Sequence, residues 1–248
     1  MAFSAQGDVK DIIDSAEQKV FSIAQGSEVR GFVHIREAIS RTYARLDLLA
    51  KDKAAASGTP TGYSALDRTL VGLGEGDLVL VGARPGMGKT SFAMNIAANI
   101  AKSTKKNVCV FSLEMSREQL VTRILSNQAT VENQRLVTGN LREQDWVNIA
   151  NAASVLSGLD ILIDDNPLLT VADMNAKCRR IDNLGLVVID YLQLMASSGT
   201  KGYSGESRQQ VVSDISRMLK IMAKELQVPV LCLSLIHISE PTRLALIS

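Results

Sequence analysis

The segment Ala83-Arg84-Pro85-Gly86-Met87-Gly88-Lys89-Thr90 constrains the fold of this chain more than any other feature. It follows the apolar run Leu78–Val81 and precedes a helical pattern over 91–101. A glycine-rich turn between a strand and a helix directs backbone N–H groups and the positive end of the helix at a phosphate. In such a loop Lys89 would contact the β- and γ-phosphates of a nucleotide, and Thr90 would bind Mg²⁺. The pattern predicts a nucleotide-binding loop, although Ala83 replaces the first glycine of the usual motif; a chance glycine-rich turn is the alternative.

Short apolar runs alternate with helical patterns along the rest of the chain. The runs predict five strands, at Leu78–Gly82, Asn107–Ser112, Asp160–Ile163, Leu186–Asp190 and Val228–Ser234. Helices are predicted between them, over 91–102, 117–127, 142–157, 171–182 and 207–226. Runs that are apolar at every position are typical of strands buried on both faces. The alternation predicts an α/β fold with a mainly parallel, doubly wound sheet. Ser116 with Gln119, and Thr170 with Asp173, predict capping boxes at two of the helices.

Two carboxylates are predicted at the same edge of the sheet as the glycine-rich loop, because ligands of open parallel sheets bind at the carboxyl ends of strands. Asp190 ends an apolar strand, as a Walker B aspartate that holds Mg²⁺ does, and a turn-capping aspartate is the alternative. Glu114 follows the second strand and could orient and deprotonate an attacking water; a solvated residue before the Ser116 cap is the alternative. Gln193 could sense the nucleotide or contact a ligand, or could only make a turn hydrogen bond.

Three further features near this edge are ambiguous. Arg84 lies on the loop itself and could contact phosphate or remain solvated. Lys201 lies in a stretch of small residues, 195–205, that could contact nucleic acid through its charge and its backbone amides, although composition predicts only a flexible loop. Asp164 and Asp165 precede Pro167, and we predict that both form turns.

Residues 8–25 form the pattern of an amphipathic helix. Its apolar positions fall on one stripe, made of Val9, Ile12, Ile13, Ala16, Val20 and Ile23. A second helix is predicted over 34–50, followed by a small polar linker over 51–61. The first stripe has no partner within its own segment, so it packs either on the main domain or on another chain, and the pattern does not distinguish the two.

Charge, cysteines and hydropathy exclude several classes of protein. The formal net charge is +1, which argues neither for nor against nucleic acid. The three cysteines are widely spaced and show neither a disulfide framework nor zinc-ligand spacing, which suits a reducing cytosol. We find neither a signal peptide nor an apolar stretch of transmembrane length, so we expect a cytoplasmic protein with no membrane partner.

Several exact strings resemble the DnaB-type replicative helicase family. They are TGYSALD at Thr61–Asp67, the loop at 83–90, FSLEM at Phe111–Met115, IDYLQLM at Ile189–Met195, and AKEL with VPV at 223–230. Their order and spacing over about 59–234 match that family, in which an alanine at position 83 is normal. The resemblance implies a RecA-like P-loop domain in a homo-hexameric ring, with ATP and Mg²⁺ as cofactors. It also implies single-stranded DNA, primase and a helicase loader as partners.

The resemblance also assigns roles to residues. It implies nucleotide binding by residues 83–90, phosphate binding by Lys89 and Thr90, Mg²⁺ binding by Thr90 and Asp190, and Glu114 as the catalytic base. The loop over 195–207 becomes a candidate DNA contact, and the helix over 8–25 resembles a linker helix that docks on the adjacent subunit.

Three segments are expected from the resemblance: a linker helix and connector over 1–58, an ATPase core over 59–234, and a non-native tail over 235–248. A glutamine is expected after Ser234, where Leu235 stands, and the string Leu233–Arg243 looks like a translated sequencing adapter. We therefore expect a fragment truncated at both ends, weakly active or inactive alone because it lacks an arginine finger. A RecA-like recombinase, a regulatory ATPase and an inactive ATP-binding fragment are the alternatives to a helicase.

Overall fold

The computed structural model describes residues 32–51, 58–190 and 208–235. The chain divides into two compact units, Met1–Ala56 and Ser57–Ser248. In the first unit, helix α1 spans Ile35–Lys51, close to the predicted 34–50. Its exposed apolar residues recur every three or four positions, at Ile35, Ile39, Tyr43 and Leu46. The predicted helix over 8–25 lies outside the described residues.

The second unit alternates strands and helices in the predicted order. Its strands are β1 (Leu78–Ala83), β2 (Asn107–Ser112), β3 (Ile161–Asp164), β4 (Leu184–Asp190) and β5 (Val230–Leu235). Its helices are α2 (Ser64–Leu70), α3 (Lys89–Thr104), α4 (Arg117–Ala129), α5 (Asn133–Thr138), α6 (Glu143–Ser157), α7 (Val171–Cys178) and α8 (Arg208–Leu226). The sequence did not predict α2 and α5, because helices of 7 and 6 residues are too short to display an apolar period.

All five strands pair in parallel, in the order β1-β5-β4-β2-β3. This arrangement confirms the predicted α/β class with a parallel, doubly wound sheet. The register aligns the strand ends that carry the site, since Ser112 of β2 lies opposite Asp190 of β4. On the other side, Gly82 of β1 lies opposite Ser234 of β5. The glycine-rich loop and Asp190 are therefore separated by the width of one strand.

Both faces of the sheet are covered, as the continuous apolar runs predicted. Successive side chains of a strand point to opposite faces, so Cys109 and Val187 pack toward α7 and α8. The alternate positions, such as Val108 and Val188, pack toward α3 and α4. All three cysteines are buried.

The helix ends show how well local signals set the boundaries. Both predicted capping boxes are present, at Ser116 with Gln119 and at Thr170 with Asp173. The prediction for α7 was wrong at its end, because the helix stops at Cys178 and the chain turns through Asn183 at a φ of 51° before β4. None of the described helices is long and apolar enough to span a membrane.

Candidate nucleotide-binding and catalytic site

The glycine-rich loop connects the end of β1 directly to the first residue of α3. Gly86 and Gly88 have φ values of 79° and 82°, and a Cβ at either position would meet no atom within 4 Å. Glycine is therefore required for backbone conformation and not for space. The first helical hydrogen bond in α3 runs from Phe92 N to Gly88 O, so the preceding N–H groups have no partner within the helix. Such a helix start binds an anion.

A buried hydrogen bond joins the start of α3 to the end of β4. Thr90 Oγ1 donates to Asp190 Oδ2 at 2.7 Å. The two residues are 9% and 2% exposed. The other carboxylate oxygen, Oδ1, is buried and receives no hydrogen bond from any described residue. A carboxylate and a hydroxyl side by side, with an oxygen to spare, form a donor set suited to Mg²⁺, which is bound through one or two carboxylates beside phosphate.

The surroundings of Asp190 have two opposing effects on its pKa. Burial raises its pKa above the ordinary value, while the Thr90 hydroxyl and the positive charges of Lys89 and Arg123 lower the pKa. Lys89, the first residue of α3, is itself buried, at 9% exposure. A cation beside Asp190 would favour the ionised carboxylate, so the site fits a metal ion electrostatically.

Glu114 reaches the same edge of the sheet from β2, but in a different environment. The residue before it, Leu113, donates its backbone N–H to the carbonyl oxygen of Asp190 at 2.7 Å. Unlike Asp190, Glu114 is exposed, and it lines the cleft that also contains Lys89 and Thr90. The site thus holds one buried carboxylate and one solvent-facing carboxylate.

A cleft of about 810 Å³ separates the glycine-rich loop from α4. Arg84 lies on the loop side of this cleft. The opposite wall carries polar residues at helical spacing, namely Arg123, Ser126, Asn127 and Thr130. Sequence reasoning did not single out Arg123. The signal was present, because these positions recur at intervals of three and four and lie beside the buried stripe of Leu120 and Ile124.

The structure brings together most of the residues proposed for the site. The loop residues 83–90, Glu114 and Asp190 meet at one edge of the sheet. Gln193 and Lys201, with the whole 195–207 loop, lie outside the described residues and remain predictions. Within the described ranges, three or more His, Cys, Asp or Glu side chains nowhere gather to hold a metal ion. Thr90 and Asp190 therefore stay the predicted metal ligands at this edge.

Asp164, the last residue of β3, and Asp165, which follows it, were both predicted to form turns, and only Asp164 does so. Asp164 Oδ1 accepts the backbone N–H of Asn166 at 3.1 Å, which is the predicted turn. The carboxylate of Asp165 instead accepts hydrogen bonds from the side chain and the backbone N–H of Arg117, the first residue of α4. The prediction of a turn former was wrong for Asp165, because its ion pair is formed with a residue 48 positions away.

Known proteins resemble this chain over most of its length. A model of the DnaB-like helicase C-terminal domain matches residues 58–243. Replicative DNA helicase DnaC of Bacillus subtilis (strain 168) is 43% identical over 235 residues, which make up 94% of this chain and 51% of that protein. Replicative DNA helicase DnaB of Geobacillus stearothermophilus has the same identity and coverage. The chain thus spans about half the length of the curated relatives it matches.

Two solved structures share this fold at substantial sequence identity. One, reported as an ATPase domain, has a TM-score of 0.72 and 30% identity, covering 83% of this chain and 72% of that one. The other, reported as a DnaB-like replicative helicase and its interactions with primase, has a TM-score of 0.71 and 29% identity. It covers 90% of this chain and 53% of that one.

Proposed function

Because this chain belongs to the DnaB-like helicase C-terminal domain family, we propose that it binds and hydrolyses ATP at the carboxyl edge of its sheet, with Mg²⁺. In the whole protein, this hydrolysis drives translocation on single-stranded DNA and the unwinding of duplex DNA. The observation that carries the proposal is the buried Thr90–Asp190 contact beside the glycine-rich loop. It supports a metal-dependent nucleotide site over a chance glycine-rich turn, which needs no buried carboxylate behind it.

Each residue of the edge has a distinct part in this proposal. Lys89 and the N–H groups at the start of α3 bind the phosphate oxygens and balance their charge. Thr90 and Asp190 would hold Mg²⁺, which would neutralise part of the phosphate charge. The spare Oδ1 of Asp190 supports this assignment, since a buried acceptor without a donor is costly unless something binds it.

Glu114 is the proposed general base. Its carboxylate takes a proton from the water whose oxygen attacks the γ-phosphorus, while the bond to the bridging oxygen breaks and ADP leaves. The exposure of Glu114 to the cleft supports this role, because a base must reach a water molecule. The burial of Asp190 suits the complementary role of a fixed metal ligand.

The partners proposed for the whole protein rest on sequence. The 195–207 loop, including Lys201, contacts single-stranded DNA, and Gln193 senses the nucleotide. The helix over 8–25 docks on a neighbouring subunit of a hexameric ring through its apolar stripe. Primase and a helicase loader are further partners, and the reported interaction of a similar helicase with primase supports the first of these. The family match favours this helicase function over a RecA-like recombinase or a regulatory ATPase.

The catalytic assignment is tested with two matched glutamate variants of the full-length protein. Glu114→Gln removes the proposed base, and Glu118→Gln removes another exposed carboxylate, in the first turn of α4. We expect Glu114→Gln to lower DNA-stimulated ATP hydrolysis by about 10²-fold or more, because general base catalysis contributes at least that much. Duplex unwinding should fall with it, while the affinity for an ATP analogue stays at the wild-type level.

The Glu118→Gln variant should hydrolyse ATP and unwind DNA as the wild type does. Hydrolysis at the wild-type rate in Glu114→Gln would remove Glu114 from the mechanism. An equal loss in both variants would show that the effect is one of general surface charge.

A further inference from the structure

Asp165, just after β3, makes three hydrogen bonds to a single residue of α4. Its Oδ2 accepts the backbone N–H of Arg117 at 3.1 Å. Its Oδ1 accepts from Arg117 Nε at 3.1 Å and from Nη2 at 2.5 Å. The pairing lowers the pKa of Asp165 and raises that of Arg117, so both stay charged near neutral pH. One carboxylate thus fixes both the main chain and the side chain of Arg117.

This contact does not serve mainly to begin the helix. α4 already has a complete capping box, in which Ser116 and Gln119 bond each other's backbone N–H groups. The Arg117 side chain is 60% exposed, and exposed ion pairs contribute little to stability. A fork of hydrogen bonds nevertheless restricts orientation strongly, because each bond has its own direction. The contact is therefore better suited to fixing a position than to stabilising the fold.

The fixed position is the turn that carries Glu114. Upstream of Glu114, the Leu113 N–H is bonded to the Asp190 carbonyl oxygen at 2.7 Å. Within the turn, Ser112 Oγ donates to Met115 O at 2.7 Å and accepts from Met115 N at 3.3 Å. Downstream, Asp165 holds Arg117. The backbone on both sides of Glu114 is thus held, upstream by the last residue of β4 and downstream by the residue that follows β3.

The Glu114 side chain has no such anchor of its own. No hydrogen bond or ion pair holds its carboxylate within the described parts of the chain. Its location over the cleft is consequently set by the backbone of the 113–117 turn. A displacement of that backbone would move the carboxylate away from the loop residues that it faces.

We propose that Asp165 is a positioning residue for ATP hydrolysis: by anchoring Arg117 it holds the 113–117 turn so that Glu114 faces the nucleotide cleft. The proposal rests on the function proposed above for Glu114. Asp165 itself is not among the residues that line the cleft. Its contribution is to turnover and not to nucleotide binding.

Asp164 provides a matched control, because it is the preceding carboxylate, at the last position of β3. It pairs with Lys177 of α7 and accepts the backbone N–H of Asn166. Its charge lies near Arg117, but none of its hydrogen bonds to described residues is made to α4. The variants Asp165→Ala, Asp165→Asn and Asp164→Ala are compared in the full-length protein with single-stranded DNA. We measure kcat and KM for ATP hydrolysis, the affinity for an ATP analogue, the urea midpoint of unfolding, and amide hydrogen exchange over 113–119.

We expect Asp165→Ala to lower kcat by roughly 10- to 100-fold, since displacing a catalytic group by about 1 Å can cost up to about 10²-fold. KM, analogue affinity and the urea midpoint should stay at wild-type values. Exchange over 113–119 should rise in Asp165→Ala and not in Asp164→Ala. Asp165→Asn keeps one acceptor for Arg117, so its kcat should lie between that of Asp165→Ala and that of the wild type.

The Glu114→Gln variant, measured alongside, separates the two ways in which the proposal can fail. Wild-type turnover in Glu114→Gln overturns the function proposed for Glu114 and the positioning role with it. Loss of turnover in Glu114→Gln together with wild-type turnover in Asp165→Ala overturns the positioning role alone. Equal losses in Asp165→Ala and Asp164→Ala, or a parallel fall in analogue affinity, would likewise overturn it.

Discussion

Removing the Thr90 hydroxyl should destabilise the nucleotide-free protein, an effect that is measurable without any ligand. Thr90→Val deletes the donor and keeps the branched shape, whereas Thr90→Ser keeps the donor and loses a methyl group. In the wild type, Thr90 Oγ1 is the donor to Asp190 Oδ2, and Oδ1 already has none among the described residues. Thr90→Val therefore leaves a buried carboxylate without a hydrogen-bond donor from α3.

The expected loss follows from the burial of both partners. A hydrogen bond to a charged group contributes about 1.5–3 kcal/mol. Asp190 is only 2% exposed, so solvent screens this bond little. We expect the free energy of unfolding of Thr90→Val to lie about 2 kcal/mol below that of Thr90→Ser near pH 8.

The difference in the free energy of unfolding between Thr90→Val and Thr90→Ser should depend on pH. Burial raises the pKa of Asp190 above 3.8, and the Thr90 hydroxyl lowers that raised value. The unfolded chain ionises near 3.8 while the folded protein still holds the proton, so stability falls as the pH rises from 3.8 through the folded pKa. Without the hydroxyl the folded pKa is higher, and the fall continues to higher pH. The loss of stability of Thr90→Val relative to Thr90→Ser should therefore be smallest at acidic pH and increase toward neutral pH.

Urea unfolding followed by far-ultraviolet circular dichroism is the suitable assay. The single tryptophan, Trp146, is 60% exposed in the native state, so its fluorescence reports unfolding poorly. Stability of Thr90→Val equal to that of Thr90→Ser at every pH would refute the buried Thr90–Asp190 interaction. A deficit that narrows as the pH rises would refute the sign assigned to the pKa of Asp190.

Three other changes probe different levels of the structure. Asp190→Asn should leave the nucleotide-free protein as stable as the wild type near pH 8, because it removes a buried charge, yet abolish the stabilisation by MgADP. That stabilisation is about 2.7 kcal/mol at a hundredfold excess over Kd, and urea unfolding with and without MgADP measures it. Thr170→Ala should lower the free energy of unfolding by about 1 kcal/mol, as loss of an N-cap does. An unchanged urea midpoint would show that the cap does not stabilise the helix. Ile13→Asp with Val20→Asp should disfavour rings of the full-length protein, whereas an unaltered ring population in light scattering would favour packing within one chain.

Local patterns sufficed to predict the strands and the residues at their ends. β2 has the predicted bounds because a run of apolar, β-branched residues is bounded by a lysine-rich turn and by the Ser116 cap. The glycine-rich loop, Glu114 and Asp190 could be assigned to one edge of the sheet because parallel strands place their carboxyl ends together. These inferences needed only neighbours in sequence and one rule of topology.

Contacts between residues far apart in the sequence could not be predicted from these patterns. The insertion of β5 between β1 and β4 depends on which strands pair, which no periodicity encodes. The Thr90–Asp190 bond joins residues 100 positions apart, and the Arg117–Asp165 pair joins residues 48 positions apart. The contrast between buried Asp190 and exposed Glu114 also arises only in the fold, because both follow equally apolar strands.

The central claim, that Lys89 binds the phosphates of a nucleotide, is tested most directly by calorimetry with a non-hydrolysable ATP analogue and Mg²⁺. Lys102→Ala is the matched control, since Lys102 is an exposed lysine in the last turn of the same helix. We expect Lys89→Ala to weaken analogue binding by at least about tenfold, or about 1.4 kcal/mol. Lys102→Ala should bind as the wild type does, and both variants should keep the wild-type circular dichroism spectrum. Unchanged affinity in a folded Lys89→Ala variant would contradict the claim.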